Sequence, residues 1–117
     1  MAKVTMLLAY APDRPEGDLA DRIELRACLT PQGQIDVQAY LADPLPWPAL
    51  RVLPDGTERA TELVQVESGW ALRSTRGGDD APLWTLDGRV FRPGELVTLR
   101  GPDAAGLVFR IVNVEAG

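Results

Sequence analysis

Apolar and polar residues alternate with a period of two through most of this chain. Ile23, Leu25, Ala27 and Leu29 alternate with Glu24, Arg26 and Cys28, the pattern of a strand with one buried face. After residues 30–34 the alternation resumes, with Ile35, Val37, Ala39 and Leu41 set against Asp36, Gln38 and Tyr40. A five-residue loop that places Leu29 opposite Ile35 also aligns Ala27 with Val37 and Leu25 with Ala39, so register and pattern together predict a hairpin. Residues 4–11 read as a first strand. The best helical periodicity, over residues 16–26, gives way to β alternation by Ile23, which leaves one helical turn at most over residues 18–22.

Further along, Pro44, Pro46 and Pro48 remove backbone donors and predict a loop or a sheet-edge connection. A strand over residues 50–53 is followed by a Pro54-Asp55-Gly56 turn and by a strand over 62–67. Taking Glu67, Ser68 and Gly69 as a three-residue loop pairs Val66 with Trp70 and Val64 with Leu72. Asp87-Gly88, between residues 83–86 and 89–92, predicts a tight hairpin with Trp84 opposite Phe91. In Arg92-Pro93-Gly94-Glu95 the proline presets φ and the glycine accepts the positive φ of a type II turn, after which residues 96–99 form a new strand. The last strand, residues 107–114, is apolar on both faces and is expected to be central or covered on both sides. About eight short strands joined by hairpins predict an all-β fold, an antiparallel β-sandwich or a small β-barrel.

The chain has 117 residues, enough for one domain over 1–117 that buries roughly two-thirds of its unfolded surface. Its net charge of −5 disfavours a nucleic-acid partner, which needs a basic face. Cys28 is the single cysteine, so no internal disulfide can form and a reducing, cytoplasmic setting is expected. The apolar run near the N-terminus is too short for a membrane span, and no membrane association is expected.

Composition narrows the chemistry further. There is no histidine, which removes the commonest general base and metal ligand and with them any Ser-His-Asp or Cys-His site. Residues 91–97, FRPGELV, are similar in turn geometry to the Pro-x-Gly turn of cupin-type barrels, but those hold their metal largely through histidines. The spacing of Arg22 and Arg26 also occurs in PilZ barrels, whose Asp/Asn-x-Ser-x-x-Gly element does not follow here. The only serines are Ser68 and Ser74, and neither lies in a nucleophile elbow. The carboxylates fall on outward strand positions or in turns, where solvated charge is the expected role. Asp79 and Asp80 lack the alternating oxygen ligands of a calcium loop. Cys28 is expected to be a structural cysteine. No catalytic residue, metal or cofactor is expected, and the chain is read as not an enzyme.

What remains is binding. Trp70 and Trp84 have cross-strand partners that point to the core, whereas Trp47, between Pro46 and Pro48, is either a plug over one end of the core or an exposed anchor. Pro46, Trp47, Pro48, Trp70, Arg73 and Arg92 form the candidate interaction surface, and an unpaired sheet edge would be another. Two functions are expected: a protein-interaction or accessory module with a protein partner or self-association, or a small-ligand-binding barrel. A filled core with an external apolar patch marks the first, and a concave pocket of about 300 Å³ or more the second.

Overall fold

The computed structural model describes residues 1–67, 69–76, 82–102 and 106–116. Eight strands follow one another as β1 (Ala2–Tyr10), β2 (Asp18–Ala27), β3 (Trp47–Val52), β4 (Glu58–Val66), β5 (Gly69–Ser74), β6 (Leu83–Asp87), β7 (Leu96–Arg100) and β8 (Gly106–Ala116). Each is antiparallel to the next, and β8 returns to pair with β1, so the sheet closes into an up-and-down barrel. Closure settles the choice between sandwich and barrel. It also removes the unpaired edge that strand addition would require.

Alternation sorts the residues as the sequence predicts. Val4, Met6 and Leu8 of β1, Ile23 and Leu25 of β2, and Phe109 and Ile111 of β8 are buried in the interior. The outer face carries charge: Lys3 lies 3.2 Å from Glu24, which also pairs with Arg22 at 2.9 Å. Among the described residues no helix is long and apolar enough to cross a membrane.

Several local expectations are corrected. Leu29 does face Ile35, but only as an isolated bridge, and the chain then turns into a short helix, α1 (Val37–Ala42). Asp36 caps it, its side chain accepting the Ala39 amide at 3.1 Å. The place beside β2 belongs to β3, so a strand over 35–41 would have no partner. Residues 18–22 belong to β2 and are not helical.

Val66 pairs with Gly69 rather than Trp70, and Leu63 rather than Val64 meets Leu72. A slip of one residue exchanges the two faces, and the observed register puts Leu63 inside. Ser68, in that loop, lies outside the described residues. Asp87-Gly88 makes no hairpin, because β6 pairs with β7 and residues 88–95 form the connection. Phe91 instead packs into the core and its amide donates to the Gly33 carbonyl at 2.7 Å. The apolar alternation of residues 107–114 is broken by a bulge opposite Thr5/Met6, which leaves Val112 exposed and returns Val114 to the interior side.

The Arg92–Glu95 turn forms as expected. The Glu95 amide donates to the Arg92 carbonyl at 3.1 Å and Gly94 has φ of 96°. Gly94 and Glu95 then bond Ile111 of β8 at 2.7 and 2.9 Å, so this stretch is backbone architecture.

Gly17, with φ of 79°, lets the β1–β2 connection pass over β1: a Cβ there would collide with the Leu8 carbonyl oxygen and lie 2.9 Å from that of Ala9. Gly17→Ala is therefore expected to cost about 2–3 kcal/mol in chemical denaturation, from left-handed strain together with the clash. An unchanged midpoint would contradict this backbone path.

Candidate interaction site beside the short helix

One end of the barrel is closed by α1 and its flanking loops. Ala39 and Tyr40 pack against the core, while Val37 and Leu41 face outward, with Leu41 63% exposed. Tyr40 sits between two tryptophans, edge-on to Trp47 at 5.3 Å and to Trp70 at 4.9 Å, and its hydroxyl donates to the Leu63 carbonyl at 3.3 Å. These contacts fix the helix to the barrel.

Asp43 ends the helix, its amide donating to the Ala39 and Tyr40 carbonyls. Its carboxylate accepts the Leu45 amide at 3.0 Å and the Trp47 indole N–H at 2.8 Å. The Leu45 amide first, and the indole second, hold the Asp43 carboxyl below its ordinary range. Between Pro44 and Pro46, Leu45 is thus presented to solvent, 71% exposed, on a loop with little freedom. A groove of about 430 Å³ runs between this loop and the outer face of β4 and β5, with Leu41 and Leu45 along one side and Glu62 and Arg73 on the other. Arg73 donates to the Glu62 carboxylate at 2.6 Å across the β4–β5 ladder.

Five of the six candidate residues converge here. Pro46 lines the groove; Pro48 lies exposed beside Glu62 on the neighbouring strand; Trp70 supports Tyr40; Arg73 forms the far wall. Trp47 is 1% exposed and is the plug, not the anchor. It also opens β3, so residues 47–50 are strand and not loop, with Pro48 placed before the β2 ladder begins. Arg92 stands apart, in a different cleft with Thr30 and Gly33. Sequence reasoning missed Tyr40, Leu41 and Leu45 as a surface. The available signal was an N-capping Asp36 with Pro44 as a stop, a helix-length interval.

The opposite end is chemically different. Asp21 points inward in phase with Ile23 and is fully buried. It accepts Arg51 Nε at 3.1 Å and Nη2 at 2.9 Å, and Arg14 Nη2 at 3.1 Å. With both oxygens engaged by guanidiniums, this carboxylate is structural. Other carboxylates cap: Asp55 accepts the Thr57 amide at 2.8 Å and Asp18 the Ala20 amide at 2.9 Å. Among the described residues no three His, Cys, Asp or Glu side chains gather to hold a metal. Asp79, Asp80 and Asp103 lie outside the described residues. No protein-family model, curated protein or solved structure matches the chain.

Proposed function

We propose that this protein is a non-enzymatic interaction module that holds an extended segment of a different protein in the groove beside α1. The observation that carries the reading is the pair Leu41 and Leu45, exposed to solvent on a helix and loop that the aromatic stack and the Asp43 bonds hold in place. Preformed apolar anchors avoid the ordering cost that weakens binding by flexible loops. The chamber among Ile23, Arg51, Leu72 and Leu99 supports the same reading, because its volume of about 50 Å³ cannot enclose a whole ligand, for which roughly 300 Å³ is ordinary. The reading carries with it a reducing, cytoplasmic setting, which a single cysteine fits.

Charge selects the occupant. A second copy would bring another net charge of −5 towards the first, and the groove carries Asp43 and Glu62 against Arg73. The partner segment is therefore apolar at its centre and basic at its flanks. Selection of peptides from a random displayed library against the purified barrel should recover such sequences. Their synthetic versions should bind Leu45→Ser and Leu41→Ser at least about tenfold more weakly than wild type. Recovered peptides that bind both variants unchanged would overturn the reading, as would a stable homodimer that these substitutions dissociate.

A further inference from the structure

We infer that the mouth of the barrel opposite α1 binds a small monocarboxylate with a short apolar tail. Arg51 and Arg59 are cross-strand partners on β3 and β4, and both line the same inward space with Ile23, Leu72 and Leu99. Two like charges placed directly opposite each other repel, and an inward face of a small barrel ordinarily carries apolar side chains. Asp21 is shared by Arg51 and Arg14. Arg59 forms no ion pair among the described residues, and Asp55 acts on it from a distance.

Arg51 is also arranged to leave one donor over. Its Nε and Nη2 hold Asp21 and its guanidinium lies 5.8 Å from the ring centre of Phe109 inside the barrel. Nη1 has no hydrogen-bond partner among the described residues. The side chain is 12% exposed. Arg51 and Arg59 therefore line one space, and among the described residues Arg59 has no carboxylate paired with it.

Beside them is the apolar chamber of about 50 Å³, room for about three or four water-sized groups, or for the last few carbons of a short chain whose remainder lies in the adjoining cleft. In front is an open cleft of about 280 Å³ that shares Arg59, Thr61 and Trp84 with the chamber as common walls. The outer edge of the Trp84 ring packs close to Gly101, where a Cβ would come within 2.8 Å of it, so the ring forms one side of the passage. Glu58, which lines the cleft, and Asp55 disfavour a doubly charged head group. A single carboxylate meets the charge, and an unbranched tail meets the chamber.

Hexanoate tests this directly, with hexanamide and inorganic phosphate as comparisons, by amide and indole shifts in NMR titrations. Saturable binding of hexanoate is expected, with a Kd of about 1 mM for a ligand of this size, and the Trp84 indole signal should move. Arg59→Gln should weaken it at least tenfold, while Arg110→Gln, on the outer face of β8, should not. Hexanamide should bind at least tenfold more weakly than hexanoate. No saturable shift with hexanoate, equal binding of hexanamide, phosphate binding as tightly as hexanoate, or an Arg59→Gln protein that folds and binds unchanged would each overturn the inference. The groove beside α1 is untouched by these variants, so failure here leaves that reading standing.

Discussion

Trp47→Ala is expected to destabilise the barrel by about 3–5 kcal/mol, the range for removing a fully buried large aromatic. Three losses add up at this position. The indole fills the end of the core at 1% exposure, its edge contact with Tyr40 is worth about 0.5–1.5 kcal/mol beyond simple burial, and Asp43 loses the indole N–H that it accepts at 2.8 Å. Denaturant titration followed by circular dichroism measures the total. Trp47→Phe should recover most of it, since the ring remains and only the N–H bond and some volume are lost. The alanine variant should also lose the binding of groove-selected peptides, because the base of α1 is gone. A cost under about 1 kcal/mol would mean that Trp47 does not seal the core, and that another element supports the helix.

Asp21→Ala is expected to cost a similar amount, about 3–5 kcal/mol, by a different mechanism. It leaves the Arg51 guanidinium inside the barrel with its only ion-pair partner among the described residues removed, and frees Arg14 from the same carboxylate. The diagnostic variant is the double substitution Asp21→Ala with Arg51→Met. Replacing both partners by apolar groups should return most of the lost stability, since an unpaired buried charge costs far more than a missing pair contributes. A double-mutant cycle measured by denaturation reads this as a coupling energy of about 2 kcal/mol or more. Additive effects would mean that Arg51 escapes to solvent when Asp21 is removed.

These two residues mark how far the fold and the site were legible in the sequence. The all-β class and the Pro93-Gly94 turn followed from alternation and turn chemistry, which are local. Register was less accessible. Val64 and Val66 looked like the inward face of β4, yet Leu63 won that role because Leu72 and Trp47 lie beside it on the neighbouring strands, information that no single strand carries. Residues 35–41 alternate as a strand would, but the place next to β2 was taken by β3, a strand that follows a proline-rich approach and itself contains Pro48. Asp87-Gly88 failed as a hairpin because Phe91 has more to gain in the core than residues 89–92 have in pairing. Of the site, Pro46, Pro48, Trp70 and Arg73 were visible as residue types. Their convergence with Leu41 and Leu45 depended on α1, which alternation concealed. Asp21 was hidden for the opposite reason, since a lone acidic residue in an apolar phase reads as outward until the arginines that surround it are placed.

The pairing of β1 with β8 sets an order on synthesis. During translation β1 can find β2 almost at once, but its other side has no partner until the last strand leaves the ribosome. Every nascent intermediate is therefore an open sheet with two sticky margins and an uncovered apolar face, although the finished protein has neither. Folding must wait for a contact that spans nearly the whole chain, the slowest kind to form. A ribosome stalled a few codons before β8 would hold the species most prone to associate with its neighbours, and the charged residues on the outer face cannot shield it there.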